Sequence, residues 1–219
     1  MKSILYLFFI TVPLFTNAQL FEERNGIVAV EAENFFRQSD NRIRHWEIIA
    51  GTGKEGAVPD ALTDAGGRKY LQVLPDTRVT KEDKLIAGEN FSNQPGMMAV
   101  ISYRIWFNSI GKYYVWVRAF STGAEDNGIH AGLDGEWPES GQRMQWCEGK
   151  NQWTWASRQR TEAVHCGEEQ LIYLDIKTTG EHVVSFSMRE DGFRFDKFIL
   201  SAEYRMPEGT GYGVLMKQE

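Results

Sequence analysis

The strongest pattern along the chain is an alternation of apolar and polar positions within short segments. In Lys112–Phe120, one set of alternate positions holds tyrosine, two valines and alanine, and the other includes tryptophan and arginine. Alternation with period two is typical of a β-strand with one buried face. Four further segments rich in β-forming residues also predict strands: Met98–Phe107, Leu171–Ile176, His182–Met188 and Phe193–Leu200.

Turn-forming pairs separate these segments. They include Asn127-Gly128, Asp134-Gly135, Thr179-Gly180 and Asp191-Gly192. No stretch carries an apolar stripe with the 3.6-residue period of a helix over three turns. Short strands at this spacing predict an all-β fold, an antiparallel β-sandwich.

Two long segments interrupt this pattern. Residues 37–69 are rich in glycine and polar residues, and residues 136–166 hold four of the seven tryptophans and both cysteines. Neither has enough apolar periodicity for a core of its own. We therefore expect two large loop insertions on a single domain, residues 19–204. Residues 205–219 are predicted to form a C-terminal tail, either loose or packed as a strap.

The composition is that of a globular domain: of 219 residues, 42% are hydrophobic and 25% charged. The formal net charge of −6 argues against nucleic-acid binding and against a polybasic membrane patch, since both need a basic surface. The seven tryptophans are either core or contact surface. Trp106 and Trp116 lie within predicted strands and are expected to pack there. The other five are expected in loops: Trp46, Trp137, Trp146, Trp153 and Trp155.

The first 18 residues are typical of a secretory signal peptide. Lys2 provides a positive start, Ile4–Leu14 is an apolar run, and Ala18 is a small residue before an expected cut at Gln19. The run is shorter than the ~20 residues that a membrane-spanning helix needs. We expect a secreted protein, extracellular or periplasmic, without a membrane anchor.

Export changes the expectation for Cys147 and Cys166, because two cysteines in an oxidising compartment usually pair. A disulfide between them would close a loop of about 20 residues, worth roughly 3 kcal/mol in the chain-entropy model. The alternative is a reactive thiol or metal ligand, with His165 next to Cys166 as its partner.

Glu31 and Glu33 lie two residues apart in a predicted strand and therefore share a face. Two neighbouring carboxylates repel unless a positive group lies between them, and Ca²⁺ is a cation that carboxylates bind well. Asp196 would add a third carboxylate if the first and last strands are neighbours. The alternative is a solvated strand face with salt bridges to lysine or arginine.

Four motifs in order carry a resemblance to a known family. They are Val30–Phe35 (VEAENF), Gly111–Arg118 (GKYYVWVR), Asp126–Gly135 (DNGIHAGLDG) and Arg189–Leu200 (REDGFRFDKFIL). Together they resemble carbohydrate-binding modules of families 6 and 35, galactose-binding-like β-sandwiches attached to polysaccharide-degrading enzymes. The resemblance implies a jelly-roll sandwich. It also implies a structural Ca²⁺ held by Glu31, Glu33 and Asp196 that ties the chain termini together.

The resemblance further implies a sugar site in loops at one end of the sandwich. Residues of suitable type there are Glu125, Asp126, Asn127, Arg189, Glu190 and Asp191. Their side chains could bind sugar hydroxyls, and arginine suits anionic sugars. The alternative is that Asp126 and Asp191 only form turns.

Trp153 and Trp155 would share a face in an extended segment and could form a platform for a sugar ring. The alternative is a satellite core under the disulfide loop. Trp137, beside Pro138, is a candidate aromatic residue at the rim of the site.

These observations predict a secreted protein that binds a polysaccharide or oligosaccharide without cleaving it and that acts beside separate polysaccharide-degrading enzymes. The sequence contains no G-x-S-x-G or H-E-x-x-H motif. A small lyase or hydrolase is the first alternative, and a cell-surface adhesion or structural protein is the second.

Overall fold

A computed structural model describes residues 19–39, 42–51 and 59–218 of the chain. Within them the fold is almost entirely β, with two sheets packed face to face, so the predicted all-β sandwich is confirmed. The predicted signal peptide lies outside the described residues and stays a prediction. In the described part of the chain, no helix has the length and apolar character needed to cross a bilayer.

The described residues form fifteen strands and one short α-helix, together with three single-turn 3₁₀ segments. The elements are β1 (Leu20–Glu22), β2 (Ile27–Glu31), β3 (Arg37–Ser39), β4 (His45–Ala50), α1 (Pro59–Asp64), β5 (Lys69–Leu74), β6 (Val100–Phe107), β7 (Gly111–Phe120), β8 (Gly128–Leu133), β9 (Met144–Gln145), β10 (Trp153–Ala156), β11 (Arg158–Gln159), β12 (Glu168–Glu169), β13 (Tyr173–Ile176), β14 (Gly180–Met188) and β15 (Arg194–Ser201). The five strands predicted from the sequence correspond to β6, β7, β13, β14 and β15.

The first sheet, sheet A, has the strand order β1-β6-β14-β8-β9-β11-β12, with β3 also paired to β6. The second, sheet B, has the order β10-β7-β15-β5-β4, with β13 paired to β7 and β2 paired to β15. Every pair is antiparallel except β1 with β6, which is parallel. The pairing of β2 with β15 places these two strands side by side, which meets the condition for Asp196 to lie near Glu31.

The core lies between the inner faces of the two sheets and follows the alternation seen in the sequence. Tyr113 and the valines of β7 belong to it, while Trp116 on the opposite face belongs to a separate outer cluster. Phe186 has its ring centroid 5.0 Å from that of Phe195 and 4.9 Å from that of Phe198. Aromatic pairs of this kind add about 0.5–1.5 kcal/mol each beyond the burial of their area.

The two segments expected to be loops contribute strands to the sandwich. The described part of residues 37–69 supplies β3, β4 and α1, and residues 136–166 supply β9, β10 and β11. The short β10 pairs with the edge of β7, and β9 and β11 extend sheet A. Strands of two to six residues show too few alternations to be recognised by period, and for this reason the sequence pattern missed them.

The expectation that the five remaining tryptophans lie in loops was wrong for Trp46, Trp153 and Trp155, which lie in strands. Trp146 does lie in a loop, but its ring is buried. Trp46 lies in β4, is 2% exposed, and its indole N–H donates to the carbonyl oxygen of Ala99 at 2.6 Å. Trp146 follows β9, is also 2% exposed, and its ring centroid lies 5.1 Å from that of Phe193. Both rings are therefore part of the core.

The C-terminal tail packs as a strap along the sandwich. The backbone N–H of Lys217 donates to the carbonyl oxygen of Leu20 at 2.9 Å, and Met216 forms a bridge with Phe21 of β1. Lys197 of β15 donates from Nζ to the carbonyl oxygens of Thr210 and Tyr212. Both ends of the described chain are thus held at the same part of the sandwich.

Candidate functional site

A large groove lies on the outer face of sheet B, with a volume of about 850 Å³. Its aromatic walls come from β7, β10 and the tail, and we call it the aromatic groove. The aromatic side chains that line it include Trp116, Trp153, Trp155 and Tyr204. Grooves of this size, with apolar walls and a few polar groups, are the usual form of sites for small or extended ligands.

Trp153 and Trp155 share a face of β10, as predicted from their spacing. Trp155 lies directly opposite Arg118 of β7, and Trp153 lies opposite Phe120. Both tryptophans are half-buried, and both also pack as satellite core: the ring of Trp153 lies 5.5 Å from that of Tyr70. The satellite-core packing of the alternative is therefore present. Both rings also line the groove, and their use as a platform for a sugar ring stays a prediction.

Backbone carbonyls hold the two indole N–H groups. Trp153 donates to the carbonyl oxygen of Ala61 at 2.9 Å, and Trp155 donates to that of Gly209 at 3.0 Å. Gly211 packs so close to Trp155 that a Cβ at that position would lie 2.8 Å from the ring. The tail therefore fixes the orientation of Trp155 and forms one wall of the groove.

The floor of the groove was not predicted as part of a site. Trp116 is 4% exposed and its ring lies 5.0 Å from that of Tyr204, at an angle of 36°. The indole N–H of Trp116 is buried and has no hydrogen-bond partner. The alternation in β7 had already placed Trp116 and Arg118 on one face, but the pairing with β10 that completes the groove is invisible in the sequence.

Two arginines supply the positive charges of the groove. Arg118 donates from Nη1 to Asp196 Oδ2 at 2.6 Å, and its guanidinium lies 5.4 Å from the ring centroid of Trp153. Arg158 pairs with Glu169 at 2.8 Å and with Glu148 at 3.8 Å. Both arginines are thus oriented by carboxylates beside the aromatic rings.

The predicted disulfide between Cys147 and Cys166 is confirmed. Both cysteines border the aromatic groove. The bond joins the segment after β9 to the segment before β12 and so closes the insertion around β10 and β11. The alternative of a free thiol is wrong, because neither cysteine is free.

The six end-loop residues predicted as sugar ligands come together, but as a buried ionic network. Each is at most 6% exposed. Arg194 donates from Nη1 to Asp126 Oδ2 at 2.8 Å, and Arg44 donates from Nη2 to Asp191 Oδ2 at 2.9 Å. Asp126 also accepts the backbone N–H groups of Thr122 and Gly123 in the preceding turn.

The rest of this network is also joined by internal hydrogen bonds, although Nε of Arg189 and Oδ1 of Asp191 are buried without a partner. Arg189 donates to Glu190 Oε1 at 2.7 Å, and the backbone N–H of Asn127 donates to Glu190 Oε2 at 2.9 Å. Burial raises the pKa of Glu190, and the adjacent Arg189 partly offsets this. Glu125 Oε2 accepts the backbone N–H of Ala124. The assignment of these residues to a sugar site stays a prediction, and the geometry gives each of them a structural role.

Trp137 lies away from the aromatic groove. It packs against the outer side of sheet A, where a Cβ on Gly96 would lie 2.3 Å from Nε1 and a Cβ on Gly132 would lie 2.8 Å from Cε3. The indole therefore rests on two glycines, which leave room for it. The three tryptophans predicted to bind ligand are thus divided between opposite faces of the sandwich.

The predicted metal ligands Glu31, Glu33 and Asp196 lie near one another around Gly66. A Cβ on Gly66 would lie 2.9 Å from Glu31 Oε2 and 3.2 Å from Asp196 Oδ1. Burial, together with the charges of Glu31 and Asp196, raises the pKa of Glu33 to about 7. Oε2 of Glu31 and Oε2 of Glu33 are buried without a hydrogen-bond partner.

Basic side chains of the protein form ion pairs with other oxygens of these carboxylates. Lys197 Nζ lies 2.7 Å from Glu31 Oε1, and Arg118 binds Asp196 as described. Among the described residues, no three carboxylate, histidine or cysteine side chains converge closely enough to hold a metal ion as they stand. The salt bridges to lysine and arginine that were expected as the alternative to a metal site are therefore present. Two unpaired carboxylate oxygens that suit a hard cation are present as well.

The two-sheet architecture defines the class of the molecule, a β-sandwich domain of two mainly antiparallel sheets. The comparison with family models then gives the particular family: residues 20–208 match the model described as "Glycosyl hydrolase family 115 C-terminal domain". The chain belongs to this family. Its function is therefore carbohydrate-related.

Among curated proteins, the chain is similar to "Uncharacterized protein P23" of Formosa agariphila, with 54% identity over 194 residues. The alignment covers 86% of this chain and 47% of that protein, so the chain spans about half the length of the relative.

Two solved structures show a more distant similarity. The Podospora anserina GH26-CBM35 β-(1,4)-mannanase has a TM-score of 0.48 at 13% identity, covering 84% of this chain and 29% of that one. The native family 35 carbohydrate-binding module from Clostridium thermocellum has a TM-score of 0.46 at 11% identity, covering 80% of this chain and 96% of that one.

Proposed function

We propose that this protein binds a polysaccharide in the aromatic groove and does not cleave it. The observation that carries the proposal is the set of half-buried aromatic rings along a groove of about 850 Å³, in a member of a glycosyl hydrolase-associated family. Sugars present apolar C–H faces and polar hydroxyl edges. Trp153 and Trp155 would bind the faces, and the guanidinium groups of Arg118 and Arg158 would bind hydroxyls.

Binding without cleavage fits the carboxylates at the groove. A glycosidase needs two carboxyl groups about 5–10 Å apart, one of them a general acid kept protonated by burial. Glu148 and Glu169, the glutamates that line the groove, both pair with Arg158, and their side chains are 85% and 54% exposed. Neither has the desolvated surroundings of a general acid.

The test is affinity electrophoresis of the purified protein through gels that contain single polysaccharides, neutral and anionic. We expect at least one polysaccharide to retard the protein and Trp155→Ala to abolish the retardation. Trp106→Ala is the matched control, because Trp106 is also half-buried but lies on sheet A, with Lys217 over its ring. Equal effects of the two variants, or no retardation by any polysaccharide, would contradict the proposal.

The same polysaccharides serve to test the lack of catalysis. The protein is incubated with each, and reducing ends and unsaturated products are measured over several hours. We expect no product above the buffer control. Product release that disappears in Trp155→Ala would show that the groove is an active site instead.

We further propose that Glu31, Glu33 and Asp196 hold a structural Ca²⁺. The two unpaired carboxylate oxygens support this, because burial of such groups without a partner is costly. The ion would have to share these carboxylates with Lys197 and Arg118. Titration calorimetry with CaCl₂ should show one site, and EDTA should lower the melting temperature. No heat of binding and no change in melting temperature would exclude the ion.

Export through the N-terminal segment and cooperation with separate polysaccharide-degrading enzymes are part of the same proposal. The sequence of residues 1–18 supports export. Expression of the full chain in a bacterial host, followed by N-terminal sequencing of the exported protein, should give Gln19 as the first residue. Retention of Met1 in a cytosolic product would contradict export.

A further inference from the structure

Lys197 of β15 is a buried lysine that lies under the wall that the C-terminal tail gives to the aromatic groove. Its side chain is only 6% exposed. Burial of a charged group is costly unless the group is paired and hydrogen-bonded. The partners that offset this cost therefore indicate what the lysine holds together.

A β-bulge brings Lys197 to the outer face of sheet B. The register of β15 against β7 shifts between Phe195 and Lys197. Phe195 and Phe198 both belong to the core, although a regular strand would place residues three apart on opposite faces. The extra residue of the bulge re-aims the chain between them, so Lys197 lies on the outer face opposite Glu31 of β2.

An ammonium group has three N–H donors, and Lys197 has an acceptor for each of them. Nζ lies 2.7 Å from Glu31 Oε1, and it donates to the carbonyl oxygens of Thr210 at 3.1 Å and Tyr212 at 3.2 Å. The carboxylate balances the charge, and both carbonyl groups belong to the tail. The buried ammonium group is therefore fully paired only while the tail lies on sheet B.

Side chains supply the hydrogen bonds that hold this part of the tail. In the described part of the chain, no backbone-to-backbone hydrogen bond joins residues 203–214 to either sheet. Most of residues 205–212 are exposed. The indole N–H of Trp155 donates to the carbonyl oxygen of Gly209, the neighbour of Thr210, and both tail residues line the groove. Lys197 and Trp155 thus bind adjacent carbonyl groups of the same tail segment.

We propose that Lys197 is a positioning residue for the aromatic groove: it holds the tail wall on sheet B, and the tail wall fixes the ring of Trp155. The inference rests on the proposed function, since it concerns the polysaccharide site. Without the ammonium group, the groove is complete in only a fraction of the molecules, and the apparent affinity falls by that fraction. Trp153 is independent of the tail, because its N–H donates to the carbonyl oxygen of Ala61 in α1.

The first test is affinity electrophoresis of Lys197→Met in gels that contain laminarin, galactan, galactomannan or polygalacturonate. Methionine removes the three donors and keeps the apolar stem. For any polysaccharide that retards the unaltered protein, we expect about tenfold weaker binding, the result of a groove that is complete in about a tenth of the molecules. Lys197→Arg keeps a positive charge with several N–H donors and should recover part of the affinity.

Lys217→Met is the matched control. It removes another lysine of the tail, which pairs with Glu22 and lies over the ring of Trp106 on sheet A, away from the groove. We expect this variant to bind polysaccharide as the unaltered protein does. An equal loss of binding in Lys197→Met and Lys217→Met would contradict the proposal.

A second measurement separates positioning from a general loss of stability. ¹H–¹⁵N NMR follows the indole N–H groups of Trp153 and Trp155. In Lys197→Met, the Trp155 resonance should shift and its proton should exchange faster with solvent, while the Trp153 resonance should stay unchanged. Gly211→Ala disturbs the wall from the tail side, because its Cβ would lie 2.8 Å from the ring of Trp155. It should give the same changes with Lys197 intact, and it replaces Lys197→Met if that variant does not fold.

The outcomes separate this proposal from the proposed function. The positioning role is refuted if Lys197→Met binds polysaccharide as tightly as the unaltered protein, or if the Trp153 and Trp155 resonances change together. If no polysaccharide retards the unaltered protein, the proposed function fails. The NMR measurement then still decides whether Lys197 holds the wall, because an unchanged Trp155 resonance in Lys197→Met refutes it.

Discussion

Replacing Arg194 by methionine should destabilise the protein strongly, because it leaves buried carboxylates without their cation. The side chain of Arg194 is 6% exposed and that of Asp126 is 5% exposed, and their closest N–O distance is 2.8 Å. Asp76 lies 3.9 Å from the same guanidinium. Removing one partner of a buried ion pair typically costs about 3–5 kcal/mol. Methionine keeps most of the apolar volume of the arginine side chain, so the loss of stability reports on the removal of the charge.

The magnitude can be converted to a melting temperature. For a domain of about 200 residues, 1 kcal/mol corresponds to roughly 2–4 °C, so Arg194→Met should lower the melting temperature by about 6–20 °C. Arg104→Met is the matched control, since its ion pair with Glu181 is exposed and such pairs contribute about 0–1 kcal/mol. Differential scanning calorimetry of both variants at pH 7.5 makes the comparison.

The loss should also depend on pH, with a sign that follows from Asp76. Burial and the charge of Asp191 raise the pKa of Asp76 to about 6, and the charge of Arg194 partly offsets this rise. A carboxyl group with a raised folded-state pKa stabilises the fold below its unfolded pKa and loses that contribution as pH rises through the folded value. Without Arg194 the pKa rises further, so the destabilisation should be larger at pH 8 than at pH 5.

A binding assay of Arg194→Met decides whether the aromatic groove or the end loops bind the sugar. Arg194→Met, assayed well below its melting temperature, should still be retarded by polysaccharide gels if the aromatic groove binds the sugar. The reasoning about the end loops is refuted if Arg194→Met costs no more than Arg104→Met, or if a fully folded Arg194→Met loses polysaccharide binding.

Three further predictions concern single features of the sandwich. His130 is buried, and desolvation lowers its pKa to about 4. In a ¹⁵N NMR titration its ring should therefore stay neutral until about that pH. Protonation near pH 6.5 would show that the site is open to solvent. Reduction of Cys147–Cys166 should cost roughly 3 kcal/mol in urea unfolding, and a loss under 1 kcal/mol would mean that the loop stays ordered without it. Gly141→Ala should lower the free energy of unfolding by about 1–3 kcal/mol, because the added Cβ would lie 2.2 Å from the carbonyl oxygen of Ala131. An unchanged melting temperature would contradict this close approach.

The long strands could be predicted from the sequence because their alternation is long enough to recognise. In β7 the apolar positions face the core over ten residues, and the predicted turn at Asp191-Gly192 is present. The turn predicted at Asn127-Gly128 was wrong, because Gly128 is the first residue of β8. The short strands could not be predicted, because β10 exists through its hydrogen bonds to β7 and not through a pattern of its own. Its four residues are a strand only because an open edge lies beside them.

The sequence likewise predicted only part of the candidate site. Spacing alone placed Trp153 and Trp155 on one face, and the structure agrees. The partners that make a groove of them, Trp116 and Tyr204, are 37 or more residues away along the chain. The end-loop residues had the right chemistry for sugars, but the sequence could not reveal that Arg44 and Arg194 form buried ion pairs with Asp191 and Asp126.

One segment, residues 136–166, contributes strands to both sheets. Its strand β10 extends sheet B and forms a wall of the aromatic groove, while β9 and β11 extend sheet A. Only Ser157 separates β10 from β11, so the chain crosses from one sheet to the other within a single residue. The disulfide bond joins Cys147 and Cys166, which lie on either side of β10 and β11, and so holds this crossing in place. A polysaccharide bound in the aromatic groove would lie along the outer face of sheet B and not at the end loops.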